Sequence, residues 1–365
     1  MTRLLIAGGG TGGHLFPGVA VAEELLARDP EAQLLFVGTA RGIEARVVPE
    51  LGWDIELIKV SGLKTVGALG AVRGALRIPG SLLQSRRVIK KFKPDAVIGV
   101  GGYASGPVVL TARLMGIKTA ILEQNSIPGL TNRILGKFAR KIFLSFAHSE
   151  SFFSAKKSVL VGNPIRKQIL GSLQNQAKAH KGPLRLFIFG GSQGAKAVNE
   201  MCCQAAVILA KQGLAPSIVH QTGTATLEAT RAMYKEAGIE ADCRAFITDM
   251  AEEYRAADVI VARSGATTIA ELGIVGKPAI LVPYPFAANN HQELNADEMV
   301  KAGAALMLKQ EGAKDGERMA ALVGGLMRDK TKRNEMAAAM LGLGRPNAAS
   351  AIVDYIAGEE TAASE

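Results

Sequence analysis

One histidine closes a run of glycines. Gly8-Gly9-Gly10-Thr11-Gly12-Gly13-His14 follows directly on the apolar Leu4-Leu5-Ile6-Ala7. Glycines let backbone N–H groups come close to a phosphate or a sugar, and the start of a following helix adds a dipole that favours an anion. His14 is the group in this run that can move a proton near neutral pH. Gly8, Gly10 and Gly13 also satisfy the dinucleotide spacing G-x-G-x-x-G. That fingerprint needs an acid closing the second strand, to hold the ribose. The second apolar run, Gln33 to Val37, ends in Gly38-Thr39-Ala40-Arg41 without one, and Glu44 falls in the next helix. A nicotinamide or flavin is therefore not expected, and the chain calls for no cofactor.

Polar or small residues end most of the other apolar runs too. The fourth leads into Gly101-Gly102-Tyr103-Ala104-Ser105-Gly106-Pro107 and the fifth into Glu123-Gln124-Asn125. Further on, Gly190-Gly191-Ser192-Gln193-Gly194-Ala195 and Arg263-Ser264-Gly265-Ala266-Thr267-Thr268 each precede a helical stretch, the latter carrying Glu271. Pro283-Tyr284-Pro285 leads to His291-Gln292-Glu293-Leu294-Asn295. One such loop is ordinary turn chemistry; several on one edge imply a large polar ligand, or two. A diphosphate suits the second half. Ser192 and Ser264 offer hydroxyls where helices begin, and Arg166 offers a forked donor. Glu271 would accept from a ribose diol, and Gln292 would read sugar hydroxyls with both donor and acceptor. Singly, each is equally a helix cap, a surface ion pair or a solvated amide. No D-x-D pair stands at a strand end and the 5 histidines are scattered, so no metal site is expected. Departing diphosphate charge would then be met by helix dipoles, Ser192 and Arg166.

The elements that must hold these loops are short apolar runs alternating with helical stretches, which implies parallel sheets covered on both faces. Strands are expected at Leu4–Ala7, Leu34–Val37, Ile55–Val60, Ala96–Val100, Thr119–Leu122, Lys141–Ser145 and Ser158–Val161. The series restarts after Pro183 with Leu186–Phe189, Ser217–His220, Ala245–Ile247, Val259–Ala262, Ala279–Val282 and Ala305–Leu308. At 365 residues this is an α/β protein of two doubly wound, Rossmann-like domains, 1–164 and 165–346, with a last helix over 347–357 packing back on the first. Two such sheets facing a central cleft would place the site between them.

Composition narrows the partners. The formal net charge is +10, and Leu57 to Pro94 contains no acid but carries Lys59, Lys64, Arg73, Arg77, Arg86, Arg87, Lys90, Lys91 and Lys93. Leu63, Val66, Leu69, Val72, Leu76, Ile78, Leu82, Leu83 and Val88 are interleaved with them. Such a segment can lie on an anionic bilayer, or can be a helix with one solvated face and one core face. Phe92 is its one aromatic, so nucleic acid is not expected as a partner. Cys202, Cys203 and Cys243 read as buried thiols of a reducing compartment. The first apolar run is too short for a secretory signal, and the glycines and proline within Ala96 to Ala112 exclude a span there.

In this order the loops resemble the MurG family, the glycosyltransferases that add N-acetylglucosamine to lipid I in peptidoglycan synthesis. The matching stretches are Gly8 to His14, Ser61-Gly62-Leu63, Gly101-Gly102-Tyr103, Glu123-Gln124-Asn125, Gly162-Asn163-Pro164-Ile165-Arg166, Gly190 to Ala195, Arg263 to Ala266, and His291-Gln292 with Asn295. The resemblance implies a GT-B fold, with the lipid acceptor on the first half and UDP-N-acetylglucosamine on the second. By the same resemblance Thr11, Gly12, Gly13 and Asn125 line the transferred sugar. Arg166 and Ser192 hold the diphosphate, with Ala266, Thr267 and Thr268 beside it. The main chain of Ile247 faces the uracil, Glu271 takes the ribose and Gln292 the N-acetylglucosamine. His14 is the implied general base, with Tyr103 and Glu123 on the acceptor side and Glu123 the rival base. The reaction would invert the anomeric centre, without a metal, to give lipid II. The enzyme would sit peripherally on the cytoplasmic face of the bacterial membrane. A UDP-N-acetylglucosamine epimerase-like enzyme and a non-catalytic nucleotide-sugar-binding protein are the alternatives on this fold.

Overall fold

The computed structural model describes residues 1–60, 67–174, 182–191 and 193–359. Ser61-Gly62-Leu63, Lys64, Val66 and Ser192 lie outside the described residues, as do the side chains of residues 67–78.

The N-terminal half forms β1 (Arg3–Gly8), α1 (Gly12–Arg28), β2 (Gln33–Gly38), α2 (Glu44–Glu50), β3 (Ile55–Leu57), α3 (Gly67–Phe92), β4 (Ala96–Gly101), α4 (Ser105–Leu114), β5 (Lys118–Glu123), α5 (Leu130–Leu135), β6 (Lys141–Leu144) and β7 (Ser158–Leu160). Its strands make one parallel sheet in the order β3-β2-β1-β4-β5-β6-β7. Alternate residues of β1 feed opposite faces. Leu4 and Ile6 join a core with Val19, Leu25 and Phe36, whereas Leu5 and Ala7 join one with Ile89, Val108 and Ile121. Apolar side chains are therefore needed at every position of the strand, which is why it reads as an unbroken apolar run.

The second half forms α6 (Lys167–Gln174), β8 (Arg185–Phe189), α7 (Lys196–Lys211), β9 (Ser217–Gln221), α8 (Leu227–Glu236), β10 (Ala241–Arg244), α9 (Met250–Ala256), β11 (Val259–Ala262), α10 (Ala266–Val275), β12 (Ala279–Leu281), α11 (His291–Lys301), β13 (Ala305–Met307), α12 (Asp315–Arg328) and α13 (Lys330–Gly342). The sheet is again parallel, in the order β10-β9-β8-β11-β12-β13. Cys202, Cys203 and Cys243 are free thiols within its core, and burial raises the pKa of each.

One expected strand is misplaced. Ala245–Ile247 is loop, and the strand before it is Ala-Asp-Cys-Arg, with Cys243 buried and Asp242 and Arg244 exposed. As an edge strand β10 needs only one apolar face, so its alternating pattern is easily passed over for the more apolar stretch that follows. Phe246, in that stretch, is 60% exposed.

A final helix, α14 (Ala348–Ala357), packs against α1. Arg28 donates to Asp354 at 2.5 Å and to Ser350 Oγ at 2.5 Å, and Ile352, Val353 and Ile356 join the core beneath. The chain divides into two compact units, Met1–Lys167 with the segment from Pro346 onward, and Gln168–Arg345. No described helix is long and apolar enough to cross a membrane.

Candidate active site

In an open parallel sheet, ligands sit beyond the carboxyl ends of the strands, where the strand order reverses. That point lies between β1 and β4 in the N-terminal unit and between β8 and β11 in the C-terminal unit. The glycine loops after β1 and β4 flank the first, and the loops opening at Gly190 and Arg263 flank the second.

In the N-terminal unit the two loops are joined by backbone. Gly9 N–H donates to the Gly101 carbonyl at 3.1 Å. Thr11 caps α1 in extended conformation, so Gly12, Gly13 and His14 form its first turn, with His14 Nδ1 3.5 Å from Thr11 Oγ1. The imidazole lies against Gly101, where a Cβ would come within 2.7 Å of its Cδ2 and where φ is +94°. Only glycine meets both demands. Tyr103 stands on the same loop, 54% exposed. Phe16, one turn along α1 from Gly12, carries the Arg166 guanidinium over its ring at 4.6 Å. Arg166 thus packs with the N-terminal unit.

Glu123 is different in kind. It is 2% exposed, and its Oε1 accepts from Asn125 N–H at 3.0 Å. Oε2 accepts from Gly129 N–H at 3.2 Å and from Asn132 Nδ2 at 2.9 Å. Burial raises its pKa, opposed by these donors. The side chain braces the β5–α5 loop from within, with three donors already held on its two oxygens. Asn125, whose N–H it holds, is half-buried on that loop.

The C-terminal unit is organised by amides that the sequence gives little reason to single out. Gln221, 2% exposed, donates from Nε2 to the Gly191 carbonyl at 3.0 Å and accepts at Oε1 from Ile247 N–H at 2.7 Å. One side chain thereby ties the glycine loop to the segment expected to face a base. The N–H of Ile247 is thus held by Gln221. Asn199 donates to the Thr222 carbonyl at 2.9 Å and accepts from His220 Nε2 at 3.1 Å. The Asn199 oxygen only accepts, so Nε2 carries the proton and Nδ1 accepts from Tyr234 O–H at 3.0 Å. Burial pushes His220 down to about 3, so this imidazole is a neutral structural group.

Ser264 also departs from expectation. It is 0% exposed and donates its hydroxyl to the Gln292 carbonyl at 2.7 Å, so it ties its loop to the first turn of α11 instead of offering itself to a phosphate. Arg263 is occupied likewise, donating to the carbonyls of Val282 at 3.2 Å and Pro283 at 3.0 Å and to Gln310 Oε1 at 3.1 Å. Gly265 caps α10, whose first turn presents the N–H groups of Ala266, Thr267 and Thr268 at the strand ends. Glu271 follows on the same helix, its Oε2 accepting from Tyr254 O–H at 2.8 Å. Gln292 Oε1 accepts from Tyr284 N–H at 2.9 Å.

Residues 4–144 match the N-terminal domain of glycosyltransferase family 28, and residues 185–352 match its C-terminal domain. A curated relative from Syntrophus aciditrophicus (strain SB) is 49% identical over 352 residues, covering 96% of this chain and 97% of its own. It is a UDP-N-acetylglucosamine–N-acetylmuramyl-(pentapeptide) pyrophosphoryl-undecaprenol N-acetylglucosamine transferase. The solved structure of Acinetobacter baumannii MurG superposes with a TM-score of 0.82 at 32% identity, over 98% of this chain and all of that one. The chain belongs to the MurG family of glycosyltransferases. MurG-like organisation thus accounts for both halves, and the GT-B arrangement of two Rossmann-like domains is its fold. The UDP-GlcNAc 2-epimerase of Neisseria meningitidis aligns at a TM-score of 0.66 over 99% of this chain, but at 14% identity it shares the fold alone.

Proposed function

We propose that this chain transfers N-acetylglucosamine from UDP-N-acetylglucosamine to the C4 hydroxyl of the N-acetylmuramoyl unit of lipid I. The near-full-length identity to a transferase of that activity carries the reading. In one displacement the acceptor oxygen forms a bond to the anomeric carbon as the bond from that carbon to the β-phosphate oxygen breaks. UDP leaves with the electron pair, configuration inverts, and His14 takes the hydroxyl proton. Arg166 and the N–H groups at the start of α10 meet the charge that develops on the departing diphosphate. Glu271 accepts from the ribose, Gln292 binds the sugar, and Thr11, Gly12, Gly13 and Asn125 line its path. Tyr103 serves the acceptor side. Ser192 keeps its diphosphate role in this proposal, although it lies outside the described residues.

The test follows label from UDP-N-acetylglucosamine into a lipid I analogue with EDTA present. Transfer at the same rate with and without the chelator is the expected result. Donor binding without transfer would return the chain to a binding role.

The acceptor is a lipid, and we propose that the N-terminal unit meets it on an anionic membrane surface. In the described part of the acid-free segment, Ser81, Ser85 and Ile89 are buried at helical spacing while Arg86, Arg87, Lys90 and Lys91 are exposed, so α3 has one core face and one basic face. Large exposed apolar side chains also stand on α4, which packs against α3, and on α5. Leu114 is 76% exposed and Ile134 46%, and Arg113 Nε donates to the Phe138 carbonyl at 3.0 Å. Arg133 lies over Phe152 at 4.5 Å. A basic residue near an anionic surface contributes about 1 kcal/mol, screened by salt. Binding to anionic vesicles is therefore expected at low ionic strength and lost at high, and a Leu114→Asp, Ile134→Asp variant should bind weakly at both. Equal binding to neutral vesicles would remove the electrostatic part of this proposal.

A further inference from the structure

Glu44, the first residue of α2, is 1% exposed and turns its carboxylate into the β1–α1 loop. Oε2 accepts from Gly10 N–H at 2.7 Å. Oε1 accepts from Thr39 N–H at 2.9 Å and from the Thr39 hydroxyl at 3.1 Å. Two loops are shaped around this one side chain. A Cβ on Gly9 would lie 2.4 Å from Oε2, one on Gly42 2.0 Å from the same atom, and one on Gly38 2.3 Å from Cγ.

In a dinucleotide-binding sheet of this strand order, the loop after β1 offers its N–H groups to a pyrophosphate and an acid after β2 holds a ribose. Here the acid after β2 opens α2 and takes a loop N–H itself. We propose that Glu44 is a built-in acceptor: it takes the Gly10 N–H of the β1–α1 loop, denies that donor to a nucleotide phosphate, and fixes the turn that carries His14. Glu44 is a positioning residue. Its effect on turnover rests on the transferase reading; its hold on the Gly10 N–H does not.

Glu44→Ala leaves a hollow with Gly10 N–H, Thr39 N–H and the Thr39 hydroxyl unpartnered, and a small carboxylate can replace what was removed. Formate, and not formamide, should raise the melting temperature of the variant while leaving the wild type unmoved. In the transfer assay, displacing the His14 turn should lower kcat about 100-fold. KM for UDP-N-acetylglucosamine should change far less than kcat, since Glu271 and Gln292, proposed to hold ribose and sugar, stand on other elements. Formate should then restore about tenfold of kcat, the worth of one charged hydrogen-bond set. Formate that neither stabilises nor reactivates the variant overturns the proposal, as does a variant with wild-type kcat. If Glu44→Ala does not fold, Glu44→Gln keeps the volume but sets an amide nitrogen against one of the N–H donors. A loss of about tenfold in kcat at constant KM is expected there, and wild-type kcat overturns the proposal. Formate-dependent stabilisation of Glu44→Ala, together with a wild type that transfers nothing, would defeat the transferase reading alone.

Discussion

Replacing His14 by alanine should lower kcat for sugar transfer by about 10³-fold, the middle of the range for a positioned general base. The dissociation constant for UDP-N-acetylglucosamine should change little, because the groups proposed to hold ribose and sugar stand on α10 and α11. Single-turnover transfer and calorimetric titration of the donor separate the two quantities. A His14→Ala enzyme within a few-fold of wild-type kcat would remove His14 from the proton transfer. The packing of the imidazole on Gly101 gives an independent check. Gly101→Ala pushes a methyl group into the ring and strains the backbone, so it should depress kcat with the histidine still present.

Glu123 should behave in the opposite way. Removing a buried acceptor that holds Asn125 N–H, Gly129 N–H and Asn132 Nδ2 leaves three donors unpartnered. At about 1–3 kcal/mol for each unsatisfied group, Glu123→Ala should cost several kcal/mol of stability. Lost transfer in that variant would follow from lost structure, and denaturant unfolding measures it directly. Glu123→Gln adds a pH signature. Burial raises the folded-state pKa of Glu123 above its ordinary carboxylate value. Its contribution is then fully present below the unfolded pKa and is lost as pH rises through the folded one. The stability difference between wild type and Glu123→Gln should therefore shift against the wild type as pH rises through that interval. A pH-independent difference would contradict the raised pKa.

The sheets were legible because buried parallel strands need apolar side chains on both faces, as Leu4 to Ala7 show. The strand-end loops were legible because glycines before a helix start leave a compositional trace. The supports beneath them were not. Gln221, Asn199 and Arg263 act through hydrogen bonds to the backbone of distant loops, and such partners follow from topology, not from spacing. The His220-Gln221-Thr222-Gly223 run ending β9 was a signal of the same kind as the others, polar residues at a strand's carboxyl end. Ser264 and Glu123 show the converse. Their residue types suit chemistry, yet burial turns each inward, and a carboxylate or hydroxyl carries no sequence mark of which way it faces. Glu44 joins both cases, since the acid sought at the end of the second strand was present six residues later, at the start of α2, facing the glycines.

The return of α14 to the N-terminal unit sets an order of events during synthesis. Ile352, Val353 and Ile356 cover the same core as Leu15, Val19 and Leu25 of α1. They leave the ribosome only after all of Gln168–Arg345 has been made. At about 5–20 residues per second, that intervening unit takes roughly ten to thirty-five seconds to emerge. Throughout that interval the first unit to be translated lacks a wall of its own core, and it is the last to be completed. A chaperone reading nascent chains would meet its uncovered apolar face on α1 before it met any exposed surface of the finished enzyme.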